Sequence, residues 1–176
     1  AFGNYPEVSA RVVAACRKAT KKPLITKLSP NQTDIRENAR LCIEAGSDGL
    51  AVINTISGMA IDPKTRRPVI GNVQGGLSGP AIKPIALLLV KKVYEVAGPK
   101  NVPIIGQGGI TTVSDAIEFL VAGATAIGLG TGLFYDPLLC PKINAGIAAY
   151  LSETGINVVT KLRGSPTDGA TEDCAG

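Results

Sequence analysis

Two glycine-rich segments are places where a backbone could hold an anion: Gly106-Gln107-Gly108-Gly109-Ile110 and Gly128-Leu129-Gly130-Thr131-Gly132. With no side chains in the way, successive N–H groups in such segments can converge on one phosphate. Either segment alone reads equally well as a tight strand-to-helix turn. Two of them at equivalent positions after successive apolar runs favour phosphate binding. Neither is the dinucleotide fingerprint G-x-G-x-x-G, because Gly128, Gly130 and Gly132 alternate and the downstream acidic residue is missing.

Three further groups could face the same ligand. Lys27 ends an otherwise apolar run in Lys27-Leu28-Ser29-Pro30-Asn31. Its ammonium could neutralise negative charge developing on a cofactor ring, or sit solvated at a strand end. Asn54 and Thr55 follow Ile53 and either recognise a planar polar ligand or cap a turn. In Gly75-Gly76-Leu77-Ser78-Gly79-Pro80, Ser78 is placed to cap the next helix and Gly79 to bring backbone close to a ligand. The chain has no histidine, which removes Ser–His and Cys–His nucleophile pairs and histidine-containing zinc sites. Cys16, Cys42, Cys140 and Cys174 form no C-x-x-C pair and read as reduced thiols of a cytoplasmic protein. No metal site is expected.

These segments must be positioned by an alternation of short β-branched runs and longer amphipathic ones. Helices are expected over 6–20, 34–45, 80–96, 113–122 and 136–151, and strands over 24–28, 49–53, 102–106 and 124–129. A Gly/Pro-rich excursion over 57–78 interrupts the series with room for a small hairpin. Strand–helix alternation demands a parallel sheet with right-handed crossovers. Hydrophobic residues make up 45% of the chain but aromatics only 4%, which suits Ile/Val/Leu/Ala packing beneath covering helices. A complete eight-stranded barrel needs about 250 residues, so 176 residues can supply four strand–helix units. Phosphate-type loops on the last two strand ends favour a barrel over an open doubly wound sheet. The expected fold is therefore α/β, a parallel (β/α) half-barrel matching the last four units of a TIM (β/α)8 barrel. Residues 1–151 form it, and 152–176 form a flexible extension, with the small polar tail starting at Gly164.

Charge and hydropathy narrow the partners. The net charge of +4 is mild, and Lys21-Lys22, Lys64-Thr65-Arg66-Arg67 and Lys91-Lys92 lack interleaved aromatics, so nucleic acid is not an expected partner. The uncharged stretch from Phe119 to Tyr135 is broken by Gly123, Gly128, Gly130 and Gly132, which argues for a helix end and a strand rather than a membrane span. Arg11, Arg17 and Lys18 interrupt any signal-peptide core.

Lys27-Leu28-Ser29-Pro30-Asn31, Ile53-Asn54-Thr55, the run GGLSGPAIKP from Gly75 to Pro84 and the two glycine loops occur in an order that closely resembles the dihydroorotate dehydrogenases, above all the class 1B catalytic subunit. The related barrel of dihydropyrimidine dehydrogenase shares much of the pattern. The resemblance runs from about Pro6 to Tyr150 and implies an FMN-containing barrel that oxidises dihydroorotate to orotate in pyrimidine biosynthesis. It implies that Lys27 lies beside the flavin ring and stabilises its reduced anionic form. It also implies that Ile53 and Gly79 border the flavin through their backbones. By the same resemblance Gly108, Gly109, Gly130 and Thr131 hold the FMN phosphate, and Asn54 and Thr55 bind the pyrimidine. An FAD and iron–sulfur subunit would carry electrons away.

The family's proton-abstracting cysteine belongs to the first half of the barrel, together with another lysine and substrate-binding asparagines. None of the four cysteines here stands in that context, so no catalytic base is assigned. The expected function is that of the flavin-holding C-terminal half, weakly active or inactive by itself. It would need the missing N-terminal half or self-association to cover its open side. Two alternatives are a non-catalytic phosphate- or FMN-binding half-barrel that self-associates, and a phosphate-sugar enzyme using the same two loops.

Overall fold

The structure is a computed structural model that describes residues 2–165. Helix α1 (Pro6–Ala19) leads into strand β1 (Ile25–Leu28), and α2 (Ile35–Glu44) returns the chain to β2 (Gly49–Val52). The excursion then forms four short strands: β3 (Ile56–Gly58), β4 (Ile61–Asp62), β5 (Arg67–Pro68) and β6 (Gly75–Leu77). Helix α3 (Lys83–Ala97) leads to β7 (Ile104–Gln107), and α4 (Val113–Ala122) to β8 (Ala126–Gly128). The single turn α5 (Gly132–Tyr135) and α6 (Leu139–Glu153) follow.

Local chemistry sets these boundaries. The Asp34 carboxylate accepts from the Arg36 amide and caps α2, whose last turn gives way to Gly46 at φ +105°. Thr112 and Asp115 form a reciprocal capping box at the start of α4. The helix expected from residue 80 begins instead as a 3-10 turn over Pro80–Ile82, with α3 proper starting at Lys83. Pro84 is tolerated in that first turn because its missing N–H has no intrahelical acceptor there. The helix expected from 136 starts at Leu139, because the Asp136 carboxylate accepts from the Leu138 amide and turns the chain first.

Strands β1, β2, β7 and β8 form one parallel sheet in that order, the arrangement of half a (β/α)8 barrel. Pleating sends alternate residues to opposite faces. On the outer face Leu28, Leu50, Val52 and Ile104 are fully buried against a layer containing Ile35, Ala39, Val90, Val93 and Phe119. The register puts Ile25, Lys27, Ala51, Ile105 and Ala126 on the inner face. There Lys27 and Ala126 are exposed, and Ile25 keeps 51% of its surface. One face is a packed core; the other is an open concave wall.

The excursion is two separate antiparallel ribbons, β3 with β6 and β4 with β5. After α6 the chain turns back so that Leu162 is buried and the Arg163 guanidinium lies 5.8 Å from the centroid of the Tyr94 ring. The tail from residue 166 onward, including Cys174, falls outside the described residues. Among those residues no helix is long and apolar enough to cross a membrane.

Phe119 is fully buried where the outer face meets α4. Phe119→Ala is expected to cost about 3–5 kcal/mol, as large-to-small changes in packed cores do. Urea unfolding followed by far-UV circular dichroism measures it.

Candidate functional site

Because the strands are parallel, all four carboxyl ends open at the same rim of the sheet. There Lys27, Ile53, Asn54, Thr55, Gly79, Gly108, Gly109, Gly130 and Thr131 line one cavity of about 260 Å³. The nine residues singled out in the sequence therefore meet in one place. Ser78, Ile82, Gln107, Ile110, Thr111, Gly128, Leu129 and Gly132 complete the lining.

The glycines here answer to different constraints. Gly79, Gly108 and Gly109 have φ of +95°, +137° and +79°, which side chains on L-residues rarely adopt. A Cβ on Gly109 would lie 2.7 Å from the Gly79 carbonyl oxygen and 3.0 Å from the Lys83 amide nitrogen. Glycine is thus required where the first loop touches the start of α3, whatever the cavity binds. Gly130 differs, since among the described residues a Cβ there would meet nothing within 4 Å and its φ lies outside the left-handed range. The fold does not demand glycine at 130; a ligand approaching the backbone would.

The rim is rich in donors. Among the described residues the amides of Gly109, Ile110, Gly130, Thr131 and Gly132 donate to no backbone carbonyl. They come from both glycine loops, a concavity of the kind that binds phosphate oxygens. The Thr131 hydroxyl donates to the Ser78 hydroxyl at 2.9 Å, joining the second loop to the segment before α3.

Asp115 ties the first loop to its support. One carboxylate oxygen accepts from the Lys83 ammonium at 2.7 Å. The other accepts from the Thr111 and Thr112 amides, both at 2.9 Å, and from the Thr111 hydroxyl at 3.1 Å. Burial alone pushes this carboxyl upward. The Lys83 ammonium and the Thr111 and Thr112 donors outweigh that and hold it well below the usual carboxylate range. Neither Lys83 nor Asp115 was marked by the sequence for this role. An Asp three residues after Thr112 was the available signal.

The remaining polar groups lie across the mouth. Lys27 forms no ion pair among the described residues. The Asn54 side-chain oxygen accepts from the Thr55 amide at 2.8 Å, which leaves its NH2 group for other partners. Gln107, passed over among its glycine neighbours, donates through Nε2 to the Ile53 carbonyl at 2.9 Å. The cavity lining contains no carboxylate and no thiol. Cys42 lies in the outer core, where burial pushes its thiol up to about 11. Cys16 and Cys140 are exposed on helices α1 and α6.

The comparisons agree with this geometry. A sequence profile of the dihydroorotate dehydrogenase family matches residues 1–151. The chain belongs to the dihydroorotate dehydrogenase family. It is 54% identical over 164 residues to the catalytic subunit of dihydroorotate dehydrogenase B (NAD(+)) from Trichlorobacter lovleyi, covering 93% of this chain and 53% of that protein. The corresponding Listeria monocytogenes subunit is 46% identical over 168 residues, or 96% of this chain and 54% of the relative. Among solved structures, dihydroorotate dehydrogenase from Eimeria tenella in complex with ferulenol superposes with a TM-score of 0.73 at 27% identity, covering 92% of this chain and 49% of that one. The chain spans about half the length of the curated relatives it matches. Its four-stranded sheet is accordingly half of this family's barrel.

The Asp115 contacts make the first loop acid-sensitive in this dihydroorotate dehydrogenase family member. Below about pH 4 the unfolded chain protonates this carboxyl while the native chain does not, so its contribution to stability is lost as pH falls toward the lower native value. Asp115→Asn is expected to be less stable by about 2 kcal/mol at pH 7, with the difference from the parent shrinking as pH drops below 4. Urea midpoints measured from pH 7 to pH 3 test this.

Proposed function

We propose that this chain is the flavin-holding half of an FMN-dependent dihydroorotate dehydrogenase. In this role Gly108, Gly109, Gly130 and Thr131 hold the FMN phosphate. Lys27, Ile53 and Gly79 flank the ring, while Asn54 and Thr55 bind dihydroorotate or orotate. The reading rests chiefly on Gly130, whose missing Cβ the fold does not need, beside amides from two loops that lack backbone acceptors.

When bound, FMN supplies the hydride acceptor for oxidation of the reduced pyrimidine. The residues of this chain bind and orient. Amides from both loops that lack backbone acceptors are the donors a phosphate group needs. The Lys27 ammonium places positive charge at the mouth, where negative charge would build up during reduction. Amide and hydroxyl groups on Asn54 and Thr55 suit a planar ring carrying carbonyl and N–H edges. With no carboxylate or thiol in the cavity lining, the proton-abstracting base is assigned to the part of the barrel that this chain does not span. The relatives' description as a catalytic subunit supports an electron-transfer partner; that this partner carries FAD and an iron–sulfur centre, and that the chain is cytoplasmic, belong to the same proposal.

A second reading is a phosphate- or FMN-binding half-barrel that associates with itself and turns nothing over. The open inner face, with Ile25 half-exposed, and the free sheet edges at β1 and β8 favour it. Titrating FMN into the chain and then adding dihydroorotate, with and without a co-expressed N-terminal half from a relative, separates the two. Bleaching of the flavin only when the N-terminal half is present supports the dehydrogenase. Binding with no bleaching under either condition supports the second reading.

Gly130→Val tests the cradle itself. A Cβ at 130 meets nothing within 4 Å among the described residues, so the unfolding free energy from urea titration is expected to stay within about 0.5 kcal/mol of the parent. FMN affinity, read from quenching of flavin fluorescence, is expected to fall at least about tenfold. Unchanged affinity would remove the phosphate role from the second loop.

A further inference from the structure

Gln107 lies on the inner face of β7, beside Ile53 just after β2 and in register with Gly128 on β8. Its Nε2 donates to the Ile53 carbonyl at 2.9 Å, which draws the head of the side chain across the cavity floor. The side chain also occupies the space above Gly128. A Cβ built there would lie 2.8 Å from the Gln107 Oε1 and 3.0 Å from the Gln107 Cβ. Gly128 therefore makes room for this carboxamide, a role distinct from that of Gly130. Among the described residues Oε1 accepts no hydrogen bond and the second Nε2 proton has no acceptor. The partnerless Oε1 is not sealed from solvent, since the only buried side-chain nitrogen or oxygen without a partner among the described residues is the Arg17 Nε.

We propose that Gln107 is a ligand-contacting residue. Its carboxamide, fixed between the Ile53 carbonyl and Gly128, presents one donor and one acceptor to the ring end of a bound flavin. A carboxamide pairs with the alternating carbonyl and N–H edges of such a ring without adding charge. Residues that only fill space at this position would be apolar, because an unpaired carboxamide on a cavity floor carries a desolvation cost once a ligand covers it. The Ile53 bond satisfies one of its two protons and leaves the second proton and Oε1 for a ligand. This inference rests on the FMN reading.

Three variants in the intact chain test it: Gln107→Met, Gln107→Glu and Gly128→Ala. The readouts are the FMN dissociation constant, the visible spectrum and midpoint potential of the bound flavin, and the urea midpoint of the apoprotein. Gln107→Met is expected to weaken FMN about tenfold. Gly128→Ala, whose methyl displaces the carboxamide, should give a similar loss, and the double variant should lose little more. Gln107→Glu should bind reduced FMN about tenfold less well relative to oxidised FMN, a midpoint potential lower by about 30 mV for a two-electron couple. A purely structural Gln107 would change the urea midpoint but leave the potential and spectrum of the remaining bound flavin untouched, and that result overturns the proposal. Parent-like affinity and potential in all three variants also overturn it while leaving the FMN reading intact. If the parent chain takes up no FMN, alone or with the N-terminal half, both fall together.

Discussion

Parallel strands cannot be joined by tight turns, and that single constraint organises the molecule. Each strand must be followed by a crossover long enough to hold a helix, and right-handed crossovers put those helices on one face of the sheet. The chain therefore builds a dry layer between Leu28, Leu50, Val52 and Ile104 and its helices, and leaves Ile25, Lys27 and Ala126 exposed on the opposite face. The same constraint sends every strand end to one rim. A binding site at that rim follows from topology before any side chain is chosen.

Holding the rim in shape is an electrostatic task, and the contributions are unequal. The helix α2 pairs of Arg40 with Glu37 and Glu44 are exposed and screened, worth a few tenths of a kcal/mol each. Asp115 is 8% exposed and accepts from an ammonium, two amides and a hydroxyl. Charge-assisted hydrogen bonds in a partly dry setting are roughly twice as strong as neutral ones. One carboxylate thereby couples the start of α3 to the loop after β7. Gly109 and the Gly79 carbonyl approach each other at the same junction.

Much of this could be read from the sequence, for a definable reason. Strand–helix alternation, the glycine segments and the position of Lys27 are local patterns, and local patterns survive folding when the tertiary structure agrees with them. All nine candidate residues consequently lie around one cavity. The distinction among glycines was not legible. Gly109 is required by the Gly79 carbonyl and the Lys83 amide, Gly128 by the Gln107 side chain, and Gly130 by nothing among the described residues. These are contacts between residues up to about thirty positions apart, and sequence shows only that each is glycine. Gln107 was overlooked because its glycine neighbours drew attention, although a polar residue at an inward strand position is itself a signal. The two ribbons of the excursion were compressed into one expected hairpin, since strands of two or three residues are too short to show alternation.

On the proposed reading, the polar side chains around the cavity bear on which part of a reaction these strands would carry. They are one ammonium on Lys27, carboxamides on Asn54 and Gln107, and hydroxyls on Thr55, Ser78, Thr111 and Thr131. Carboxamides and hydroxyls at neutral pH exchange hydrogen bonds but do not take up a proton. Such a set orients a ligand and neutralises charge; it does not abstract a proton from carbon. Holding a cofactor and removing a proton place opposite demands on the surroundings: the first wants fixed donors, the second a basic group near its own pKa. Separating them onto different strands of a barrel lets each be tuned without disturbing the other. On the proposed reading, the donor-rich rim of these four strands would be one side of that division.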